Sequence, residues 1–286
     1  MELSAVIVSY NVCELLRGAL QSLMTAAQAT EHEIIVVDNN SSDGSAVMVS
    51  KEFPSVKLIV SENNEGFASA CNRGIQASSG EYVLMLNPDT VTSPDAITRA
   101  LDFMKKHPDA GAAGAHMTDG NGKFLPESKR GFPSPLTALF RFTGLCRLFP
   151  GSALFNAYYL GEKPENETCH ADILTGAFML IRRKALDKAG LFDTSFFMYG
   201  EDIDLSWRIR KAGFSNYYLH DVRITHFKGG SSGQDRQTSV WHFWDAMAIF
   251  GEKHLRKGWH MPVRAAVCLL KWMSITRLRV VRLVKK

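Results

Sequence analysis

The sequence predicts an α/β protein with a mostly parallel, doubly wound, Rossmann-like sheet, a mixed second half and a basic helical tail. Four short apolar runs alternate with helical stretches over residues 1–86. That order is typical of parallel strands joined by right-handed crossovers. Turns, prolines and isolated apolar runs dominate the second half. The last segment, 252–286, holds ten Lys or Arg residues and one acid, Glu252.

The first half supplies strands and helices in strict alternation. The strands are nearly continuous apolar runs, as expected for strands buried on both faces. The first helix carries leucines and alanines at helical spacing. In chain order the predicted elements are a strand at 4–10, a helix at 13–27, a strand at 33–38, a polar turn at 39–44 that leads into a helix, a strand at 56–60, a helix at 67–78 and a strand at 82–86.

The second half is less regular. Residues 117–124 predict a hairpin around Asp-Gly-Asn-Gly. Residues 126–168 contain five of the ten prolines and predict long loops over a site. A strand is expected at 173–181. The predicted division is a main domain, 1–250, with halves 1–115 and 116–250, and a basic amphipathic extension, 251–286.

Composition limits the class of protein. The chain has 286 residues, 45% hydrophobic and 22% charged, which is ordinary for a soluble globular protein. Its five cysteines form no CxxC pair, so zinc and thioredoxin-like sites are not indicated, and we expect reduced thiols. The chain enters a strand at once and holds no run of about 18 apolar residues. We therefore expect a cytoplasmic protein without a signal peptide or transmembrane helix.

The strand at 82–86 runs directly into Asn87-Pro88-Asp89. Pro88 ends the strand because it has no N–H and a fixed φ. Asn87 and Asp89 then present oxygen atoms at the carboxyl end of a buried strand, where open α/β sheets bind ligands. Hard cations such as Mg²⁺ or Mn²⁺ prefer oxygen ligands of this kind. The alternative is a plain strand-ending turn, since Asn, Pro and Asp are turn residues.

A second candidate site joins the ends of the first two strands. Asp38 ends one strand, and Ser9, Tyr10 and Asn11 end its neighbour. A carboxylate there can accept the N3–H of uracil or thymine, and the groups near Ser9 can hold a ribose. A turn or helix-capping role for Asp38 is the alternative. The chain contains neither GxGxxG after the first strand nor GxxxxGK[ST], which argues against NAD, FAD and P-loop nucleotide sites.

A third candidate is the loop and helix start at 63–74. Gly66 permits a tight backbone before Phe67, while Asn72 and Arg73 follow on the helix. Arg73 could reach a phosphate, and helix N-termini attract phosphate through their free N–H groups. The alternative is a surface helix with an incidental arginine.

Two further candidates lie late in the chain. Glu201 and Asp202 follow an aromatic segment, 196–199, which could raise a carboxylate pKa toward that of a general base. The alternative is acidic residues matched to a helix dipole. His226 ends an apolar run before Lys-Gly-Gly, where a neutral imidazole could complete a metal site begun by Asp89. A structural, hydrogen-bonded histidine is the alternative.

These motifs occur in one order along residues 3–230. They are Val8-Ser9-Tyr10-Asn11, Val37-Asp38-Asn39-Asn40-Ser41-Ser42-Asp43-Gly44, Asn64-Glu65-Gly66-Phe67-Ala68, Leu86-Asn87-Pro88-Asp89, Thr175-Gly176-Ala177-Phe178, Gly200-Glu201-Asp202-Ile203-Asp204-Leu205 and His226-Phe227. Each motif is weak alone, but the ordered set is specific. It resembles the inverting family 2 glycosyltransferases with a GT-A fold, in particular their rhamnosyltransferase-like branch.

The resemblance implies roles by position. Asp38 would bind the base, Asn87 and Asp89 would occupy the DxD-like position, and Asp89 and His226 would hold Mg²⁺ or Mn²⁺. Asp202 would be the general base, with Glu201 the neighbour most easily confused with it. The sequence departs from DxD in having Asn at 87.

The resemblance further implies a dTDP- or UDP-sugar donor, with rhamnose as a candidate sugar, and a glycan or polyprenyl-diphosphate-linked acceptor in cell-surface polysaccharide synthesis. A noncatalytic nucleotide-sugar or glycan-binding protein on the same fold is the alternative function. A nucleotidyltransferase is a third class, but it would need a glycine- and lysine-rich loop after the first strand, which the chain lacks.

The basic tail suggests an anionic partner. Residues 259–286 mix apolar and cationic residues, as an amphipathic helix on a membrane surface would. A helix packed on the body and an oligomer contact are alternatives. Nucleic acid is disfavoured because residues 1–251 carry a net charge of −5. We expect a peripheral protein on the inner face of the cell membrane; the oligomeric state stays open.

Overall fold

The apolar runs of the sequence form the strands of one sheet. The computed structural model describes residues 1–227, 236–255 and 257–284. Its strands are β1 (Leu3–Ser9), β2 (His32–Asp38), β3 (Lys57–Val60), β4 (Tyr82–Leu86), β5 (Thr90–Thr92), β6 (Ala110–Thr118), β7 (Cys169–His170), β8 (Phe178–Arg182) and β9 (Ser215–His226).

Ten α-helices surround the sheet in the described ranges. They are α1 (Cys13–Ala27), α2 (Ser45–Glu52), α3 (Phe67–Gln76), α4 (Ala96–Lys106), α5 (Pro135–Thr143), α6 (Leu145–Leu148), α7 (Arg183–Ala189), α8 (Glu201–Lys211), α9 (Arg236–His254) and α10 (Lys257–Val284). Single turns of 3₁₀ helix occur at Pro126–Ser128 and Ala157–Tyr159.

The sheet confirms the predicted fold class. Its strand order is β3-β2-β1-β4-β8-β6-β9-β5, and β7 pairs with β9. The first four strands are parallel, whereas β8 is antiparallel to both β4 and β6. In the outer part, β6 and β9 are parallel and β5 is antiparallel to β9. The first half is therefore doubly wound and the second half is mixed.

Each face of the sheet is covered by helices. Leucines of α1 and alanines of α4 pack with the side chains on one face of β1 and β4. Residues of α3, α7 and α8 cover the opposite face. Strands buried on both faces have nearly all their apolar surface removed from water. The burial of this core is therefore the main term that stabilises the fold.

Three predictions for the second half need correction. The strand expected at 173–181 begins only at Phe178, and Ile173 makes a single antiparallel bridge with Arg130. The expected hairpin is a turn closed by one bridge, Thr118–Phe124, rather than two strands. The region 126–168 contains α5 and α6, so it is not all loop. The helices α5 and α6 are short, and the prolines and glycines around them favour turns and loops, so the sequence did not predict these helices.

The C-terminal helices form an antiparallel hairpin on the body. Ala246 and Phe250 of α9 pack with Phe196, Ile203 and Ile173. The helix α10 runs back along α9, where Val267 and Ile275 are buried. The division predicted after residue 250 falls inside α9, and the domain limits stay a prediction. No helix in the described ranges is long and apolar enough to cross a membrane.

Candidate active site

The ends of β1 and β2 place Ser9 beside Asp38. The two residues are partners in the parallel register, as the sequence predicts. Asp38 Oδ2 accepts a hydrogen bond from the N–H of Ser41 at 2.9 Å. The other oxygen, Oδ1, and the Ser9 hydroxyl are both buried without a hydrogen-bond partner among the described residues. Buried polar atoms without partners are costly, so this pair is suited to receive a ligand.

Tyr10 and Asn11 continue from Ser9 into the rim of this pocket. Asn11 has a positive φ of 53°. Its N–H donates to Ser41 Oγ at 3.0 Å, and its Oδ1 accepts from the N–H of Ser42 at 2.7 Å. Tyr10 is exposed. Asn11 thus ties the end of β1 to the loop after β2, while the Tyr10 ring remains accessible to a ligand.

The loop before α3 is joined to the aromatic segment before α8. Gly66 has a φ of +83°, and a Cβ there would lie 2.6 Å from the carbonyl oxygen of Phe197. The N–H of Phe67 donates to that same carbonyl at 2.7 Å. Asn39 supports the loop by donating to Asn64 Oδ1 and to the Gly66 carbonyl. Glycine is therefore required at position 66 by close backbone approach as well as by φ.

The structure gives Asn72 and Arg73 different surroundings. The Asn72 amide donates to the carbonyl of Phe192 at 2.8 Å and accepts from its N–H at 2.9 Å. These two bonds hold α3 to the chain before the aromatic segment. They occupy both ends of the Asn72 amide, so they do not support the predicted contact between Asn72 and a nucleotide-sugar. Arg73 is partly exposed and binds Ser61 and Glu65, which leaves it able to reach an anion.

Asp89 and His226 meet at the edge of the sheet. Thr90 pairs with His226 in the antiparallel register of β5 and β9, and the N–H of Phe227 donates to the Asp89 carbonyl at 2.8 Å. His226 Nε2 lies 3.1 Å from Asp89 Oδ1. The residues after Phe227 in the predicted His-Phe-Lys-Gly-Gly motif lie outside the described residues.

The atoms at this pair fit a divalent cation. Asp89 Oδ1 is buried without a hydrogen-bond partner among the described residues, and it lies 3.1 Å from His226 Nε2, a spacing at which one cation can contact both atoms. Carboxylate and imidazole ligands suit Mn²⁺, and Mg²⁺ commonly uses one or two carboxylates together with substrate phosphates. Within the described ranges no three His, Cys, Asp or Glu side chains cluster as a complete metal site. A cation here would need oxygen atoms from the donor as further ligands.

Asp202 lies next to the Asn87-Pro88-Asp89 turn. The N–H of Asn87 donates to the carbonyl of Ala177 at 3.1 Å. The N–H of Gly176, the preceding residue, approaches Asp202 Oδ2 at 3.4 Å. The backbone of residues 176–177 thus lies between the turn that carries the predicted metal ligand Asp89 and the predicted base Asp202.

Arg130 holds Asp202 in place. Its Nη2 donates to Asp202 Oδ2 at 2.6 Å and to the Leu174 carbonyl at 2.7 Å. The other Asp202 oxygen accepts from the N–H of Ile203. Both side chains are largely buried. A charge-assisted bond from a rigid guanidinium fixes the direction of a carboxylate more firmly than a neutral donor would.

Glu201 and Asp202 follow one another in the chain but have different environments. Glu201 is buried, and its Oε2 has no hydrogen-bond partner among the described residues. Burial first, and the neighbouring Glu201 second, raise the pKa of the Cys71 thiol. Burial, and then the charge of Asp202, raise the pKa of Glu201 to about 8. Asp202 instead has the arginine partner. The first turn of α8 therefore separates the two acids.

We expect the substitution Glu201→Gln to change the pH dependence of stability. A carboxyl whose pKa is raised in the folded state stabilises the fold below its unfolded pKa and loses that effect as the pH rises to about 8. The variant should lack this loss and exceed wild type by on the order of 2 kcal/mol at pH 9, measured by urea unfolding. An identical pH slope in both proteins would contradict the assignment.

Three contributors were missed by sequence reasoning. Arg130 lies in the segment predicted as loops, and no motif marks it. Asn39 is in a quoted motif, but its role in supporting the Gly66 loop follows only from the fold. Phe197 acts through its backbone carbonyl, which sequence does not signal. The contacts of Asn39, Arg130 and Phe197 join residues 25, 72 and 130 positions apart, separations at which local pattern carries no information.

Comparisons with known proteins identify the family of the chain. Residues 4–190 match the model of the family described as glycosyl transferase family 2. The chain is 30% identical over 273 residues to an N-acetylglucosaminyl-diphospho-decaprenol L-rhamnosyltransferase of Mycobacterium tuberculosis, covering 92% of this chain and 88% of the relative.

Solved structures share the fold. A mannosyltransferase from Pyrobaculum calidifontis, in complex with GDP-Man and Mn²⁺, aligns with a TM-score of 0.60 and 18% identity over 99% of this chain and 79% of its own. S. aureus TarS 1–349, in complex with UDP-GlcNAc, aligns with a TM-score of 0.59 and 18% identity over 94% of this chain and 72% of its own. The chain therefore belongs to glycosyl transferase family 2 and is an enzyme of the hexosyltransferase type.

Proposed function

We propose that the protein transfers a sugar, with inversion at C1, from a dTDP- or UDP-sugar to a polyprenyl-diphosphate-linked glycan. The observation that carries the proposal is the convergence of three groups at one end of the sheet. They are the Ser9–Asp38 pair, the Asp89–His226 pair and the Arg130-held Asp202. The first suits a nucleoside, the second a metal-bound diphosphate and the third an acceptor hydroxyl.

Rhamnose is the first candidate for the transferred sugar, and an N-acetylglucosaminyl-diphospho-polyprenol is the first candidate acceptor. The support is the relative named as an L-rhamnosyltransferase on such a carrier, which aligns over 92% of this chain. Asp38 suits either pyrimidine base, since uracil and thymine both offer N3–H to its free Oδ1. A glycan acceptor without the lipid is the alternative.

The proposed mechanism is a single displacement. Asp202 takes the proton of the acceptor hydroxyl while that oxygen attacks C1 of the donor sugar, and the bond from C1 to the diphosphate oxygen breaks on the opposite face. Arg130 keeps Asp202 directed at the acceptor. A Mg²⁺ or Mn²⁺ ion held by Asp89 and His226 would neutralise the charge of the leaving diphosphate. Asn87 stands beside this position, with its backbone fixed by Ala177.

The test is donor binding and hydrolysis in wild type and in Asp89→Ala. dTDP-rhamnose is compared with UDP-sugars, with Mn²⁺, with Mg²⁺ and with a chelator, by calorimetry and by nucleoside diphosphate release. We expect wild type to bind one donor in the presence of metal. The variant should bind this donor at least about tenfold more weakly, because it lacks one of the two protein ligands of the proposed metal ion that binds the donor diphosphate.

The matched control is Asp187→Asn, an exposed acid on α7 that lies on a different helix from the site. It should bind the donor as wild type does. Donor binding that ignores the chelator in wild type would overturn the proposed metal site. Failure of wild type to bind any pyrimidine nucleotide-sugar would overturn the proposed donor class.

A further inference from the structure

The helices α5 and α6 carry large apolar side chains that stay at least half exposed in the described structure. Neither helix contains a buried residue. Leu136, Leu139 and Phe142 recur every third residue along α5, and Leu148 and Phe149 end α6 and follow it. These five side chains are 50% to 71% exposed. A contiguous exposed apolar patch of this kind is typical of a binding site.

The helix α10 has two different faces. One face lies against α9, where Val267 and Ile275 are buried and Lys271 pairs with Asp245 at 2.6 Å. The opposite side presents four apolar side chains that are 52% to 78% exposed, within an arc of about 120° at 100° per residue. They are Met261, Leu269, Trp272 and Met273.

Both α5 and the α9-facing side of α10 contact α9. The ring of Phe142 on α5 stacks with Trp244 at a centroid distance of 6.1 Å and an interplanar angle of 11°. Trp244 in turn donates from Nε1 to Ser274 Oγ on α10 at 3.3 Å. We use the name "apolar surface" for these exposed side chains: Leu136, Leu139, Phe142, Leu148, Phe149, Met261, Leu269, Trp272 and Met273.

Charge favours an anionic occupant for the apolar surface. Residues 128–161, which contain α5 and α6, include no Asp or Glu. Arg141 and Arg147 are the exposed cations of this segment, whereas Lys129 and Arg130 are buried and Arg130 is paired with Asp202. Residues 252–286 carry ten Lys or Arg and one acid, although residues 1–251 as a whole are net −5. Apolar side chains interspersed with cations are the pattern of proteins that lie on anionic lipid.

The apolar surface adjoins the candidate active site. Phe243, next to Trp244 on α9, has an edge contact with Tyr199, and His242 stacks on Phe197. Tyr199 and Phe197 lie two and four residues before Glu201. On the other side, α5 begins five residues after Arg130, whose guanidinium binds Asp202.

We propose that α5 and α6, together with the outer face of α10, dock the protein on an anionic bilayer, with the opening to Asp202 at headgroup level. The proposal deepens the proposed function and rests on it in one respect: a lipid-linked acceptor would present its first sugars at that level. It assigns α5 and α6 a role in membrane contact, so the basic tail is one part of a larger surface.

The test is co-sedimentation of the full chain with vesicles of phosphatidylcholine containing about 30% phosphatidylglycerol. The proteins are wild type, the double variant Leu139→Ser with Phe142→Ser, the double variant Leu269→Ser with Trp272→Ser, and Val47→Ser. Val47 is an equally exposed apolar residue on α2 and serves as the matched control. Each double variant should bind at least about tenfold more weakly, because two large apolar side chains no longer enter the lipid.

The outcomes separate the membrane surface from the transfer reaction. Metal-dependent donor hydrolysis is measured without acceptor in each variant and should equal that of wild type, which shows that the site is folded. Unchanged vesicle binding in the α5 variant, or no binding by wild type, would overturn the proposal whether or not the donor is hydrolysed. A wild-type dimer that the α5 variant dissociates, with no vesicle binding, would assign the surface to a second copy instead. Vesicle binding by a wild type that binds no pyrimidine nucleotide-sugar would support the membrane surface and contradict the proposed transfer chemistry.

Discussion

Asp202→Asn is expected to reduce sugar transfer by about 100-fold or more, because the amide cannot take the acceptor proton in the transition state. Donor affinity should stay near that of wild type, since Asp38 and Asp89 are on other elements. The amide oxygen can still accept the bond from Arg130, but the NH2 group that replaces the other oxygen cannot accept from the N–H of Ile203. Urea unfolding of the variant therefore accompanies the activity measurement and checks that the fold is retained. Single-turnover transfer and donor calorimetry on the same preparation separate the two effects.

Glu201→Gln is the comparison that tests which acid is the base. Glu201 is buried beside Cys71 and lacks the arginine partner of Asp202. We therefore expect a transfer rate much closer to wild type than that of Asp202→Asn. The reverse order, with slow transfer in Glu201→Gln and normal transfer in Asp202→Asn, would assign the base to Glu201. Wild-type transfer rates in both variants would exclude both Glu201 and Asp202 as the base.

The first half of the fold was predictable because its signals are local and repeated. The helix predicted at 13–27 and the strand predicted at 82–86 match α1 and β4 residue for residue. Strands buried on both faces must be almost wholly apolar, so the length of each apolar run predicts the length of the strand. The second half depends on contacts between distant segments. The run at 173–177 is as apolar as a strand, yet it leaves the sheet where Arg130 bridges to Ile173.

The sequence predicted which acidic residues form the candidate site, but not which residues hold them in place. Sequence placed Asp38, Asp89 and Asp202 at the ends of apolar elements, and topology alone brings the ends of β1, β2 and β4 to one edge. The ion pair that directs Asp202 comes from Arg130, 72 residues away. Asn72 shows the opposite limit, because its position suggests a ligand while its amide is occupied by the backbone of Phe192.

The helix that carries Asp202 is also the anchor of the C-terminal hairpin. Asp204 is fully buried, and it accepts hydrogen bonds from Arg208 at 2.7 Å, from Lys253 at 2.7 Å and from His254 at 2.8 Å. Burial alone would raise the pKa of Asp204, but the bonds from His254, Lys253 and Arg208 outweigh it and hold that pKa well below the usual value. Two of the three donors come from α9, so this carboxylate joins α9 to α8.

Asp204→Asn is therefore expected to lower the free energy of unfolding at pH 7 by about 1 to 3 kcal/mol, because the amide cannot accept all the hydrogen bonds that Arg208, Lys253 and His254 give to the buried carboxylate. A depressed pKa stabilises the folded state above the unfolded value, about 3.9 for Asp, and that contribution is lost as the pH falls further. The difference between variant and wild type should thus shrink below about pH 4. Urea unfolding across this range measures it, with the exposed Asp187→Asn expected within about 0.5 kcal/mol of wild type. Equal stability of Asp204→Asn and wild type at pH 7 would show that the hairpin is held by its apolar contacts alone.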